Sequence, residues 1–295
     1  MMRSVLIGLL LLVSAPSQAT ILPENDLHLQ DNVDAAANMT EAQFIAVTDA
    51  IVAIWAPLAQ RHGATLVANK LWTNPTVNAN ANQRGNVWTI NMYGGLARRP
   101  EVTLEGYALV VCHELGHHFG GYPFYPPNLP WASSEGQADY FATQICGKMI
   151  WEKAIFGRFN LRTVNPYIRA KCDSNYTRNW ERRVCYRNIA AGHSLATLLA
   201  AASREKTPPK FETPSQAKVT ATYHYHPQAQ CRLDTYIQGA LCKAMFDIIN
   251  IPSLGHPKGQ ASAEAEIHSN PYSCNFANGY TVGNRPACWY KGVVE

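Results

Sequence analysis

The chain has 295 residues, 47% of them apolar, and a formal net charge of +4. That apolar share is ample for a core, and a positive excess so small and so scattered argues against nucleic acid as a partner. There is no internal repeat and no heptad run, which removes solenoids and coiled coils.

The first residues, MMRSVLIGLLLLVSAPSQA, carry one charge at Arg3, an apolar run from Val5 to Val13 and the small-residue exit Ser17-Gln18-Ala19. This is the pattern of a secretory signal peptide, residues 1–19, cut near Thr20. The apolar run is too short to span a bilayer, and no later stretch supplies ~20 uncharged apolar residues. The mature chain is therefore expected to be exported, periplasmic or secreted, with no transmembrane segment. Residues 20–250 read as one domain and 251–295 as a cysteine-containing tail packed on it. Oligomeric state is not legible.

Thr40-Glu41-Ala42-Gln43 predicts a capping box for a helix reaching about His62, stopped by Gly63, with Ile45, Val47, Ile51, Ile54 and Trp55 as its apolar face. Two β-like runs follow, 64–72 and 86–93, separated by an Asn-rich stretch. The second could offer an edge to an extended substrate, with Val87, Thr89 and Asn91 on one face. Thr103 predicts a helix over LEGYALVVCHELGHHF, ended by Gly120-Gly121. Ser134-Glu135-Gly136-Gln137 predicts a second capping box, opening a helix through about Lys153. Further helices are predicted over about 188–203 and over RLDTYIQGALCKAMFDII. Helices and strands are mixed without βαβ alternation, so the fold class is α+β, mainly helical with a small sheet beside the HELGH helix.

Eight cysteines in an exported chain read first as disulfides. Cys231 and Cys242, ~16 Å apart along one predicted helix, cannot pair. Cys172 with Cys185, and Cys274 or Cys288 with Cys231 or Cys242, are the expected links. Cys112 and Cys146 are left open. No CxxC pair suggests a thiolate zinc site.

The segment VVCHELGHHFGGYP carries the chemistry. His113 and His117, four apart on a helix, project from one face and can hold one ion jointly. Glu114 lies beside them, placed to take a proton from water. This is HExxH, in which zinc makes water nucleophilic at neutral pH and the glutamate acts as base. A catalytic zinc takes three protein ligands. The extended pattern HExxHxxGxxH fails, because position 123 is Pro. Glu135 is the expected third ligand, with Asp139, on the same helix face, accepting the free ring N–H of His113. His118 points about 100° away from the pair and reads as structural or rim.

HExxH followed by Glu135 and Asp139 resembles the gluzincin arrangement. The stretch VNANANQRGNVWTINMYGGL, the segment SSEGQADYFA, and His226-Pro227 with Arg232-Leu233 are similar to elements of the metallopeptidase family that contains the CAAX prenyl endopeptidase and HtpX. The resemblance covers about residues 64–240 and implies a zincin-like fold. It also implies one zinc ion per chain on His113, His117 and Glu135, Glu114 as general base and Asp139 behind the ligands. His226 would stabilise the oxyanion, with Arg232 as a supporting ion-pair residue. The absence of membrane helices and the short interval to the third ligand point to a soluble, exported subgroup.

The expected activity is zinc-dependent hydrolysis of peptide bonds, with a protein or peptide from the exported or envelope fraction as substrate. The alternative is a non-catalytic zinc-containing binding or chaperone-like factor. A fully ligated structural zinc has no use for Glu114, which favours the enzyme.

Overall fold

The computed structural model describes residues 18–30, 39–126, 129–151, 153–246 and 249–292. Most of the predicted signal segment, up to residue 17, lies outside them. Helix α1 (Glu41–Arg61) starts at the predicted capping box: Thr40 Oγ1 accepts from Gln43 N–H and the Gln43 side chain accepts from Thr40 N–H. Its buried stripe is Phe44, Val47, Ile51 and Trp55. Ile45 is exposed instead, about 100° round the helix from Phe44. Among the described residues α1 alone is long and apolar enough to cross a membrane. Here it packs on the sheet and on the central helix through that stripe.

The described sheet has four strands in the order β1-β3-β4-β2. They are β1 (Ala19–Thr20), β2 (Thr65–Leu71), β3 (Ala79–Arg84) and β4 (Val87–Tyr93). β3 and β4 form an antiparallel hairpin, turning at Gly85-Asn86, where Gly85 takes φ +57°. β2 runs parallel to β4. β4 is therefore interior, and the expectation that residues 87–92 offer a free edge is corrected: both of its edges are paired. Trp88, Ile90 and Met92 face the core, leaving Val87, Thr89 and Asn91 on the other face. The Asn-rich stretch is itself a strand, since Ala79 and Ala81 are small enough to bury while Asn80 bonds to Tyr93 Oη and to Asn91.

A short turn α2 (Gly94–Ala97) leads to α3 (Leu104–Phe119), bounded as predicted by Thr103 and Gly120. Residues 106–119 of α3 are buried, so this helix is the axis of the core. α4 (Glu135–Phe141) crosses it so closely that a Cβ at Gly116 would stand 2.9 Å from Ala138 Cα. The helix predicted through about Lys153 runs continuously to Ile150, its α-helical hydrogen bonding absent only over one turn. After α4 the chain makes a π-helical turn, Ala142–Cys146, before α5 (Gly147–Ile150). The second predicted capping box is absent, because the Gln137 side chain donates to Gly120 O rather than turning back on Ser134.

α6 (Pro166–Asn175), α7 (Asn179–Ala202) and α8 (Ala229–Leu241) complete the helical layer, and α9 (Ala263–Ser269) lies in the tail. α8 stops at Leu241 instead of running to Ile249. Cys242, in extended conformation, leaves the helix to pair with Cys274. Cys172–Cys185 joins α6 to α7, and Cys231–Cys288 clips the tail to α8. Cys112–Cys146 ties α3 to the π turn. The tail packs on the rest of the chain, with Trp289 fully buried against Gly136. The architecture is α+β, and its four disulfides fit an oxidising environment.

Candidate metal centre

α3 presents His113 and His117 one turn apart, and the α3–α4 crossing at Gly116 brings the first residue of α4, Glu135, against both rings. His113 Nε2 lies 3.1 Å from His117 Nε2 and 3.2 Å from Glu135 Oε2, and His117 Nε2 lies 3.6 Å from Glu135 Oε1. Donors set ~2.0–2.2 Å from a tetrahedral ion stand about 3.3–3.6 Å from one another. The two ring nitrogens and the two carboxylate oxygens are at or slightly inside that spacing, close enough to share a single cation, and all three residues are fully buried.

The rings are oriented for ligation. His117 Nδ1 is 2.8 Å from Ser133 O, which can only accept, so Nδ1 carries the proton and the Nε2 lone pair faces the cluster. His113 Nδ1 donates to Asp139 Oδ1 at 2.8 Å with the same consequence. Two facing lone pairs 3.1 Å apart repel unless a cation or a shared proton lies between them. Burial lowers the basicity of both rings. At His113 the charges of Asp139 and Glu135 outweigh burial and raise its pKa to about 9. At His117 burial wins and lowers it to about 4.

Asp139 is saturated. Besides His113 it accepts from Arg232 Nε at 2.6 Å, Arg232 Nη2 at 2.7 Å and Tyr236 Oη at 2.6 Å. Burial would raise its pKa, but the adjacent Arg232 guanidinium and His113 hold it down. Glu135 receives Tyr125 Oη on Oε1 at 2.6 Å, while its Oε2 has no hydrogen bond. Burial opposes its ionisation as well, yet His226, His117 and His113 keep it well below the usual carboxylate range.

Glu114 is the exception. Its carboxyl is fully buried and neither oxygen has a hydrogen-bond partner. Burial pushes its pKa up to about 8, against the pull of His113, Arg232 and the Ile21 backbone. A bare buried carboxylate costs several kcal/mol unless a cation or a proton offsets it. The orphaned oxygens of Glu114 and Glu135, beside two ring lone pairs, make this donor set fit a divalent cation that prefers nitrogen and oxygen.

All seven residues singled out in the sequence meet here. His226 Nε2 lies 3.7 Å from Glu135 Oε2 and 2.7 Å from Thr20 O. His118 does not join them. It is stacked between Trp88 and Trp131, with ring centroids 5.4 and 5.2 Å away, and bonds to Thr89 O and Gln83. Tyr125 and Tyr236 were not anticipated. Tyr236 lies four residues after Arg232 on α8 and so shares its face, a spacing that could have revealed it. Tyr125, in a Pro-rich loop, left no such signal. Comparison of the chain with protein families, with characterised proteins and with solved structures finds no match.

Proposed function

We propose that this chain is a zinc-dependent endopeptidase of zincin-like architecture, similar to the gluzincins, acting on exported or envelope proteins. The observation that carries the reading is the bare buried carboxylate of Glu114, next in the chain to a ligand of a three-donor cluster. A scaffold site would gain nothing from an unpaired acid at that position. Two histidines and one carboxylate are the ligand set of a catalytic zinc, and the four disulfides suit a protein working in an oxidising compartment.

His113, His117 and Glu135 would hold the zinc ion, which would supply Lewis acidity toward a substrate carbonyl and a water that loses its proton near neutral pH. Glu114 takes that proton and returns it to the leaving amine. His226, whose Nε2 donates to a backbone carbonyl at 2.7 Å, is positioned to stabilise negative charge on a substrate carbonyl. Asp139, clamped by Arg232 and Tyr236, keeps the His113 ring in its ligating orientation. Tyr125 does the same for Glu135.

The test is elemental analysis of the purified protein together with a peptide-library cleavage screen. One zinc per chain, lost in Glu135→Ala, with cleavage abolished in Glu114→Gln while zinc is retained, is the expected result. Zinc retention with a biological activity indifferent to Glu114→Gln would instead establish a non-catalytic binding protein.

A further inference from the structure

We propose that residues Thr20–Leu22 occupy, in cis, the groove in which an extended polypeptide substrate lies, and that this occupancy keeps the metal centre closed until the segment is displaced. The inference rests on the peptidase reading above and adds to it the groove, its occupant and the need for opening.

β1 lies antiparallel on the outer edge of β3, with Ala19 opposite Ala81 and Thr20 opposite Asn80, and Ile21 N–H continues the ladder to Ala79 O at 3.3 Å. In a trans peptide the C=O points opposite to the following N–H. With Ile21 N–H turned toward β3, the Thr20 carbonyl must point away from the sheet. It meets His226 Nε2 at 2.7 Å, and that nitrogen is 3.7 Å from Glu135 Oε2. The next carbonyl, Ile21 O, accepts from Arg232 Nη1 at 2.6 Å, the guanidinium whose other nitrogens grip Asp139. His226 thus holds the carbonyl of the Thr20–Ile21 peptide and Arg232 that of the next, Ile21–Leu22, so two successive peptide units lie against the site.

The side chains show how the segment is held. Ala19 is buried in a small pocket of Tyr125, Leu129 and Ala132, and Ile21 and Leu22 are fully buried in the main core. The chain is exposed at Gln18 and again at Pro23 and Glu24, so only this short stretch is engulfed. With it in place His113, Glu114, His117 and Glu135 have no solvent exposure. A substrate cannot reach them without taking over the β3 edge. The groove selects an extended backbone and an aliphatic residue at the Ile21 position.

The experiment follows zinc removal by a chelator from zinc-loaded protein, with a labelled peptide of sequence QATILPE as a probe. Three chains are compared: the full chain as left by signal cleavage near Thr20, a chain beginning at Pro23, and Ile21→Ala in the cleaved chain, a milder change that weakens the anchor if the truncated chain does not fold. Zinc loss is expected to be at least ~10-fold faster in the variants. The peptide should bind the truncated chain, slow its zinc loss again, and leave the full chain unlabelled. Folded variants that lose zinc at the parental rate, or a truncated chain that ignores the peptide, overturn the inference while leaving the peptidase reading intact. A parent chain that binds no zinc at all removes both.

Discussion

Arg232 and Asp139 form a wholly buried two-point ion pair, 2.6 Å from Nε to Oδ2 and 2.7 Å from Nη2 to Oδ1, and the same carboxylate holds the ring of His113. Metal affinity and fold stability therefore share one residue. Asp139→Asn keeps the volume but leaves Arg232 with only the more distant Glu135 Oε2, at 3.7 Å, as counter-charge. Breaking a buried pair from one side costs about 3–5 kcal/mol, and losing the partner of a metal-bound histidine weakens the metal about 10–100-fold. Denaturant unfolding of the metal-free chain should show the first loss and a competition titration with zinc the second.

Glu114→Gln separates catalysis from ligation. The amide cannot serve as base, so peptide hydrolysis should fall by about 10²–10⁴. His113, His117 and Glu135 are untouched, so zinc content should stay at the parental level. The metal-free variant should be at least as stable as the parent, because a neutral amide replaces a buried acid with no hydrogen-bond partner. A variant that loses zinc along with activity would show that Glu114 is a ligand.

Adjacent histidines 117 and 118 give opposite expectations. His117→Phe removes a donor from the cluster and should abolish stoichiometric zinc binding. His118→Phe keeps an aromatic ring between Trp88 and Trp131 and loses only the bonds to Thr89 O and Gln83. Its cost should be about 1–3 kcal/mol of stability, with zinc content unchanged. The two variants, measured for metal and for melting temperature, should swap phenotypes.

The central helix was legible because its signals are local: Thr103 at one end, Gly120 at the other, and HExxH between them. Glu135 and Asp139 were legible by the same four-residue logic on α4. What escaped depends on pairing across the chain. The run ANANQR is a poor strand by propensity and becomes one because β4 supplies its ladder and Tyr93 and Asn91 satisfy Asn80. β1 is two residues long and is defined only by β3 beside it. The helix predicted through about Lys153 holds to Ile150, but its π turn, where Cys146 is bonded to Cys112, has no signal in the local periodicity. Of the disulfides, Cys172–Cys185 was expected across a polar loop, and the tail was expected to link to Cys231 or Cys242 without the partners being assigned. Cys112–Cys146 required knowing that two helices cross.

Lys148 offers a test of the fold away from the metal. Its ammonium donates to Cys242 O at the end of α8 and lies 5.8 Å from the Tyr176 ring centroid. Burial, helped by the like charge of Lys243 and opposed by Glu181, pushes its pKa down to about 7. In the unfolded chain a lysine titrates near ~10.4. Between these two values the unfolded chain binds more protons than the folded one, so stability rises with pH across that interval. Below about 7 the folded state carries the full cost of the buried charge, and above the unfolded value it carries none. Lys148→Met removes this contribution. The difference in unfolding free energy, parent minus variant, should therefore climb as pH rises from about 7 toward 10 and level off at either end. Denaturant melts at matched ionic strength would measure it, and a difference flat with pH would mean that Lys148 keeps its charge in the folded protein, held by Cys242 O and Tyr176.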